Sequence, residues 1–409
     1  MPKSSTRSRI EFIALIASIM MIVAFAIDAM LPALPAIGAA LGVSVENRRS
    51  LVIVVFMAGF GVAQFFVGTV SDRYGRRGMM LASLIGYALC SLAAASAPSF
   101  TLLLTARAAQ GAAAAGARVL ATSVVRDRFE GRDMAQVMSL ATMVFMAAPI
   151  LAPTMGTLVL TVAPWRWIFV VLALLGASLW LWVLLRLPES LTRGRRREIT
   201  PTKVIAGVRI VLSDRASVGY TVGITCMSCV VMGFLTSVQP IFADIFHHPE
   251  WLPGGFAVMA GTMATASLVN SRIVMRWGMR RIGHAALFGL TAIAASHASI
   301  ALTGHETVVS FIALQSAMMA CFSLTTANFS AMAMENVGEV AGTASSLQGS
   351  FSTIVGALVG GLIGQSFNGT TAPLYVGVTL AGLIALVAVF IAERGRFFVA
   401  HHHPAIHAA

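Results

Sequence analysis

The sequence predicts an all-α membrane protein with twelve spanning helices. Of its 409 residues, 57% are hydrophobic and only 11% are charged, whereas a soluble domain carries about 25% charged residues. The mean hydropathy is +0.84. A soluble protein of this composition could not cover its surface with polar groups, so soluble enzymes, disordered chains and disulfide-rich scaffolds are excluded.

Twelve apolar runs make up most of the chain, and each is close to the roughly 20 residues that a helix needs to cross a bilayer. Backbone polar groups must be satisfied internally in lipid, so every run is predicted to be helical. None shows the alternating pattern of a membrane barrel. The runs are residues 10–40, 49–71, 79–97, 100–125, 134–161, 166–187, 216–245, 254–275, 283–303, 307–333, 340–367 and 372–392.

The positions of Lys and Arg predict the orientation of these spans. The termini and the connections on their side carry 23 of the 28 basic residues, and the opposite connections carry three. Basic loops stay in the cytoplasm, so both termini are predicted to be cytoplasmic in a multi-pass protein of the bacterial inner membrane. The net charge of +12 lies scattered between apolar runs, which indicates contact with membrane lipids and no nucleic-acid partner.

The longest polar stretch divides the chain into two halves. Residues 188–215 are predicted to form a cytoplasmic linker between a six-helix bundle at 1–187 and a second bundle, with a cytoplasmic tail, at 216–409. The halves repeat weakly, since the Asp-Arg-Tyr-Gly motif at Asp72 is echoed by Met-Arg-Trp-Gly at Met275. Two parallel, pseudo-symmetric bundles around a central cavity are therefore expected.

A charged motif follows span two and consists of Gly68, Asp72, Arg73, Gly75, Arg76 and Arg77. Glycine at the first of these positions allows close approach of helices, and the second glycine permits a tight turn. Asp72 can cap a helix or pair with an Arg. The motif is predicted to latch the cytoplasmic side in one conformation. Because Met275 stands in place of Asp72 in the second half, this latch is expected in the first half alone.

Further stretches agree with one family. Residues 28–35 read DAMLPALP, span four carries Arg107, Gln110 and Gly111, and span five carries Pro149, Pro153 and Gly156. With the charged motif, these stretches resemble the Bcr/CflA-type drug-resistance transporters of the major facilitator superfamily, a branch of twelve-span drug:H⁺ antiporters. In that family the charged motif is motif A, the span-four stretch motif B and the span-five stretch the antiporter motif. Thr157, where a second glycine is usual, and the extra cation Arg118 depart from the pattern.

The resemblance covers nearly the whole chain. It implies the major facilitator fold, a transporter and not an enzyme, no cofactor, and a monomer that binds small-molecule drugs and protons. The two proline positions are predicted to bend span five. Gly356, Gly360 and Gly364 in span eleven have the spacing of a close helix contact, and a sliding contact between the halves is expected there. His247–His248 and the histidines at 401–403 are not predicted to bind a metal.

Asp28 is an acid deep inside span one, where an ionisable residue is by default a hypothesis for a functional site. Burial favours the neutral acid and a nearby Arg favours the charged form, so the two effects together make a proton carrier. At 1.5 Å per residue, Asp28 and Arg107 lie about 6 and 7.5 Å from the midplane on the same side. They are predicted to couple transport to protons. A permanent structural ion pair is the alternative.

The substrate cavity is predicted to include Met21, Phe25, Asp28 and Arg118. The first three share one face of span one, and soft methionine and aromatic groups suit varied amphipathic drugs. Helix packing is an equally good explanation of that face. Arg118 follows Arg107 by eleven residues on nearly the same face of span four, and it either faces the cavity or extends toward cytoplasmic phosphates.

These features predict proton-coupled efflux of small amphipathic drugs across the inner membrane by alternating access. A metabolite uniporter or exporter on the same fold, without proton coupling, is the alternative. No Walker motif is present to make the chain an ATPase. A membrane-embedded enzyme would need clustered catalytic groups on facing helices, and only one acid lies deep in a span.

Overall fold

A computed structural model describes residues 6–129, 131–191 and 201–398 of the chain. The Arg-rich part of the predicted linker, at 192–200, and the histidine-containing tail after residue 398 lie outside the described residues. The described chain is helical throughout, with short 3-10 and π turns, and no strand occurs in these ranges. This confirms the predicted all-α membrane fold.

Fifteen α-helices occur in the described ranges. In the first half they are α1 (Thr6–Asp28), α2 (Leu34–Ala40), α3 (Leu51–Tyr74), α4 (Arg76–Ala95), α5 (Phe100–Arg128), α6 (Gly131–Phe145), α7 (Ala148–Val162) and α8 (Arg166–Arg186). They continue as α9 (Pro201–Ser213), α10 (Arg215–Pro240), α11 (Leu252–Trp277), α12 (Met279–Thr303), α13 (Val308–Met334), α14 (Ala341–Gln365) and α15 (Ala372–Ala392).

Each of the twelve apolar runs coincides with a helix or with two helices in succession. Eleven helical stretches of the described chain are long and apolar enough to cross a membrane. The twelfth run, α5, falls short because Arg107, Gln110 and a series of alanines and glycines make it less apolar. Its burial between α3 and α4 replaces the lipid contacts that a more apolar helix would make.

Two spans are interrupted where proline occurs. Span one ends in a 3-10 turn at Leu31–Ala33 before α2, and span five breaks at residues 146–147, between α6 and α7. Pro149 lies in the first turn of α7, where its missing N–H is not needed, and Pro153 lies inside that helix. The predicted irregularity of span five is therefore present, as a break ahead of the prolines.

The helices pack in two groups. In the first group α5 packs between α3 and α4, α8 packs on α4, and α1 contacts α5, α6, α7 and α8. In the second group α10 packs on α14 and α15, and α13 packs on α11 and α12. The main contacts between the groups join α3 to α14 and α7 to α11. The domain limits at 187/188 and 215/216 stay a prediction.

A helix that the sequence analysis missed lies within the polar linker. Helix α9 packs on α10 and α14, and its Val211 forms a small apolar cluster with Val337 and Ala344. The linker is thus anchored to the second group of helices. The many basic residues of this stretch led to the prediction of a linker, although residues 204–213 form a short apolar helix.

The predicted sliding contact of the span-eleven glycines is wrong. Gly356, Gly360 and Gly364 face α10, which belongs to the same group as α14. A Cβ added at Gly360 would lie 2.6 Å from the backbone nitrogen of Gly233 in α10. The four-residue spacing correctly predicts a close helix contact, but spacing alone does not identify the partner helix.

We expect Gly360→Ala to destabilise the purified protein in detergent by about 1–3 kcal/mol, because the added methyl group forces α14 away from α10. The measurement is the midpoint of thermal unfolding. Gly261→Ala is the matched control, since a Cβ there meets nothing within 4 Å and alanine favours a helix over glycine by up to about 1 kcal/mol. Equal midpoints for the two variants would contradict this account of the contact.

Candidate transport site

A cavity of about 670 Å³ lies between the two groups of helices. It opens on the membrane side at which α1 begins and α15 ends, which we call the termini side. Its wall combines rings, thioethers, hydroxyls and charges, among them Phe65, Thr69, Asp72, Arg126, Met138 and Ser345. A wall of this mixed chemistry suits an amphipathic ligand.

On the opposite side of the membrane the two groups of helices are joined. The side-chain amide of Asn47 donates to the carbonyl oxygens of Gln365 (2.9 Å) and Phe367 (2.8 Å). The amide of Gln365 donates in return to the carbonyl of Asn47 (2.8 Å) and to Ser50 Oγ (3.3 Å). We call Asn47 and Gln365 the amide clamp. The molecule is therefore open on the termini side and closed on the other.

Between the clamp and the cavity, α3 and α14 touch through small residues. Ser350 Oγ donates to the carbonyl of Gly61 at 2.5 Å, and a Cβ added at Gly61 would collide with Ile354. A Cβ added at Gly361 would lie 2.8 Å from the Val54 side chain. This interface is close-packed, and it forms the closed end of the cavity.

Asp28 ends α1 and is 6% exposed. Its carboxyl group forms no ion pair and no hydrogen bond with any described residue. The next turn of span one packs on α7, where a Cβ at Gly156 would lie 3.0 Å from Pro32. Gly156 of the antiporter motif thus lets α7 approach the chain directly after Asp28.

Arg107 is completely buried and joins three helices. Its Nη2 donates to the carbonyl of Ala26 in α1 (2.9 Å), its Nε donates to the carbonyl of Val52 in α3 (3.0 Å), and its Nη1 donates to Gln110 Oε1 (2.6 Å). The guanidinium also lies over the Phe56 ring at 4.4 Å. Each guanidinium nitrogen of this buried cation has an acceptor, and an aromatic ring lies against one face.

The expected contact between Asp28 and Arg107 is not present. Arg107 reaches the segment of α1 that carries Asp28, as the predicted depths of the two residues require. It binds the carbonyl of Ala26, two residues before Asp28, and not the carboxyl group. The physical reason is that α1 ends at Asp28, so the carbonyls of its last turn lack partners within the helix. A cation at this depth satisfies one of them and leaves the carboxyl group apart.

The other two residues of motif B, Gln110 and Gly111, lie in the contacts of α5 with α4 and α3. Gln110 Nε2 donates to Ser91 Oγ at 2.6 Å, and Ser91 donates to the carbonyl of Tyr87 in α4. At Gly111 an added Cβ would strike the backbone of Phe56. This glycine is therefore required for the approach of α5 to α3 that places Arg107 against the Val52 carbonyl.

The predicted substrate-cavity residues do not line the cavity in this conformation. Met21 and Phe25 are half-buried on α1, and Asp28 is buried at the end of that helix, outside the cavity lining. Arg118 lies over the Phe145 ring at 4.9 Å, and its Nη1 is buried without a hydrogen-bond partner in the described chain. Arg118 forms no ion pair with a described carboxylate.

Motif A forms a charge cluster on the termini side. Arg76 Nη2 pairs with Asp72 at 2.6 Å, and Arg76 Nε pairs with Asp127 at the end of α5 at 3.1 Å. The backbone N–H of Arg76 donates to Glu189 at 2.9 Å. Glu189 follows α8 and accepts from the free N–H groups at the start of α4, where a negative charge is stabilised by the helix dipole.

The remaining motif A residues support this arrangement. Arg77 Nη2 donates to the carbonyl of Leu184 in α8 at 2.7 Å, and Arg73 lies over the Tyr74 ring at 5.5 Å. Gly75 has φ 99° between α3 and α4, a conformation that favours glycine. Gly68 lies next to Ser346 of α14 in the cavity wall, where an added Cβ would lie 3.6 Å from the Ser346 hydroxyl.

A second charge cluster occurs at the matching place in the second half, so the charged side chains are not confined to the first half as expected. The latch itself stays a prediction. Arg280 pairs with Glu335 and with Glu393, each at 2.9 Å. Arg76 precedes Arg280 by 204 residues, as Glu189 precedes Glu393, and Asp127 precedes Glu335 by 208. Arg280 is therefore the counterpart of Arg76, and the second half has a charge cluster although Met275 replaces the acid Asp72.

The sequence analysis missed the acidic partners because they lie far from their arginines in the sequence, each just after the last span of its half. Glu189 follows the last span of the first half in Pro188-Glu189-Ser190, and Glu393 follows the last span of the second half. An acid at the same position in both halves was the available signal. Asn47 and Gln365 gave none, since single amides at loop edges are common.

Tyr220 and His284 extend the second cluster. The hydroxyl of Tyr220 donates to Glu393 and contacts His284 Nε2 at 3.1 Å. The backbone N–H of Phe398 donates to His284 Nδ1 at 3.1 Å, so Nε2 carries the proton and donates to Tyr220. These hydrogen bonds hold the segment after α15 against α12.

Comparison with known proteins gives a consistent picture. The family profile described as "Major Facilitator Superfamily" matches residues 16–360. A bicyclomycin resistance protein homolog of Haemophilus influenzae is 27% identical over 390 residues, which cover 94% of this chain and 96% of that protein. An uncharacterized MFS-type transporter of Bacillus subtilis, YdgK, is 29% identical over 370 residues, covering 89% and 90% respectively.

Solved structures agree on the fold. The xylose transporter XylE from E. coli, in a partially occluded inward-open conformation, superposes with a TM-score of 0.74 at 10% identity and covers 95% of this chain and 98% of its own. A bacterial homolog of the human lysosomal transporter Spinster, inward-facing and unoccupied, gives 0.70 at 14% identity, with 96% and 98% coverage. At this identity the likeness concerns architecture alone.

We expect Arg280→Gln to destabilise the protein by about 3–5 kcal/mol, because it leaves the nearly buried Glu393 carboxylate without its arginine. Glu335→Gln should cost less, since the Glu335 side chain is 24% exposed and that of Glu393 is 2% exposed. Thermal unfolding in detergent measures both. Adding Glu393→Gln to Arg280→Gln should recover part of the loss, and a double variant less stable than Arg280→Gln would contradict the pairing.

Proposed function

The chain belongs to the Major Facilitator Superfamily, and we propose that it is a proton-coupled exporter of small amphipathic drugs. The relative named for bicyclomycin resistance and a second relative, the multidrug resistance protein MdtL of Salmonella typhi, which is 29% identical over 248 residues, support drugs as the substrate class. The mixed wall of the cavity, with Phe65 and Met138 beside Thr69 and Ser345, supports ligands that have both an apolar body and polar groups.

The observation that carries proton coupling is the environment of Asp28. Its carboxyl group is buried in a membrane span and pairs with no cation of the described chain, because each guanidinium nitrogen of Arg107 already donates to a carbonyl oxygen or to Gln110. A buried carboxylate without a partner costs free energy, and protonation removes that cost. Asp28 therefore holds a proton in this conformation and can release it in one that gives the carboxylate water or a cation.

In this proposal Arg107 acts on Asp28 through position and charge. It fixes the carbonyl of Ala26 and hence the last turn of α1, which carries Asp28. A small shift of α1 that breaks the Ala26 contact would free a guanidinium donor for the carboxylate. Arg107 and Asp28 then form the coupling pair that the sequence predicts, in a conformation other than this one.

Alternating access accounts for the two ends of the molecule. The amide clamp and the α3–α14 contact close one side, and the cavity opens on the other. Each charge cluster ties helix ends within one group, so each group can rotate as a unit. The asymmetry of basic residues supports a cytoplasmic termini side in the inner membrane, and drug then enters the cavity from the cytoplasm and leaves after the clamp opens.

We expect Asp28→Asn to abolish proton-driven transport. Purified protein is reconstituted in liposomes with an acidic lumen, and accumulation of labelled bicyclomycin is measured. The parent protein should concentrate the drug as protons leave, and Asp28→Asn should fall to the level of protein-free liposomes because the asparagine side chain does not ionise and so cannot carry a proton.

Asp133→Asn is the matched control, since that carboxylate is 65% exposed and pairs only with Arg9 among described residues; it should retain accumulation. Drug–drug exchange without a pH gradient should persist in Asp28→Asn, which shows that the protein is inserted and binds drug. Gradient-driven accumulation by Asp28→Asn would contradict proton coupling at this residue. Exchange without accumulation in the parent would favour a uniporter.

We expect Gln365→Ala to shift the population toward a form that is open opposite the termini. The substitution removes two of the four hydrogen bonds of the clamp, each worth about 0.5–1.5 kcal/mol, so the population ratio should change roughly tenfold. Spin labels at Ser44 and His305, one in each half on that side, report the opening by distance spectroscopy.

Asn368→Ala is the control for the clamp, because the Asn368 side chain bonds only to the neighbouring Thr370. It should leave the distance distribution unchanged. If Gln365→Ala also leaves the distribution unchanged, the clamp does not hold the gate.

A further inference from the structure

Arg118 is a cation inside a membrane span, and no anion of the described residues pairs with it. Its guanidinium contacts the face of Phe145, one of its nitrogens is buried without a partner, and no described carboxylate pairs with it. A charge at such a depth is costly unless it is paired. Arg107 on the same helix shows how this fold satisfies a buried arginine, and Arg118 lacks every one of those acceptors.

Arg118 lies about one helical turn farther from the termini side than Thr122, which lines the cavity. Thr122 and Val125 are four and seven residues after Arg118, on the same face of α5, and both line the cavity. Met138, which is seven residues before Phe145 on α6, also lines it. Arg118 and Phe145 therefore continue the two walls of the cavity inward, beyond the residues that line it.

We propose that Arg118 and Phe145 form an anion-binding subsite, which takes the carboxylate of a drug whose body is aromatic or apolar. This inference rests on the proposed function and names its substrate class. The planar guanidinium offers parallel N–H donors to a carboxylate. Phe145 packs against the apolar part of the ligand and excludes water from the pair, which strengthens it.

The same chemistry would accept the phosphate of a lipid headgroup. The position favours a soluble ligand, because the residues below Arg118 line an aqueous cavity with hydroxyl groups at Thr122 and Ser123 and a second cation, Arg126, near its mouth. These two cations, both on α5, attract an anion from the termini side toward Arg118.

The test uses 2-naphthylacetate and its uncharged amide as probes. Binding to the purified protein in nanodiscs of phosphatidylcholine is measured by isothermal titration calorimetry. The parent protein should bind the acid at least about tenfold more tightly than the amide, since a charge-assisted hydrogen bond replaces a neutral one. Arg118→Gln should bring this ratio close to one and leave the affinity for the amide unchanged.

Arg118→Lys keeps the cation and should retain part of the preference, which separates charge recognition from a structural role. Arg272→Gln is the matched control, because that side chain is exposed on α11 and does not line the cavity; it should keep the full ratio. An unchanged ratio in Arg118→Gln, or no saturable binding of the acid to the parent, would overturn the proposal. Loss of the preference in phosphatidylglycerol nanodiscs would also overturn it, with lipid phosphate as the occupant.

The two proposals fail in different ways. If Arg118→Gln loses the preference for the acid but still accumulates the amide in liposomes with an acidic lumen, proton-coupled export stands and the subsite is supported. If the parent binds the acid through Arg118 but accumulates neither probe, the subsite stands and proton-coupled export of this class is wrong.

Discussion

The guanidinium of Arg107 is the interaction on which the first half of the molecule depends. It is wholly buried in the membrane region, and it survives there because the carbonyls of Ala26 and Val52 and the side chain of Gln110 accept its protons. The end of α1, the start of α3 and the first part of α5 are thereby held together. Removal of any one acceptor would leave a charge unsatisfied in a medium without water.

This constraint also sets the surroundings of Asp28. The last turn of α1 is fixed by the bond from Arg107 to Ala26, and the following chain is fixed by its contact with Gly156 of α7. The carboxyl group therefore has a defined position without a cation of its own. Motif B and the antiporter motif, distant in sequence, act on the same short segment of span one.

The two charge clusters play the corresponding part on the termini side. Arg76 and Arg280 each pair with two carboxylates from different segments of the same half. The ends of several helices of that half are thereby joined through one arginine. The connection between halves is different in kind, since it consists of amide hydrogen bonds and small residues. Strong bonds within halves and weaker bonds between them are what a rigid-body motion requires.

The sequence predicted the spans, the helical class and the family, because these follow from apolar length and from residues contiguous in one motif. It predicted the depths of Asp28 and Arg107 but not their separation, which depends on a carbonyl made available by the end of α1. It missed Glu189 and Glu393 because their partner lies on another helix. It identified the Gly356–Gly360–Gly364 face but not the helix opposite it, because a spacing defines a face and not a neighbour.

The low hydropathy of α5 has a consequence for how the protein enters the membrane. An arginine near the centre of a helix adds about 2.5–3.5 kcal/mol to the cost of inserting that helix alone, and α5 carries both Arg107 and Arg118. Its acceptors on α1 and α3, and the surface of α4, precede it in the chain. During synthesis these helices reach the bilayer first, so α5 enters beside a partly assembled bundle, and the order of the helices in the sequence makes its insertion possible.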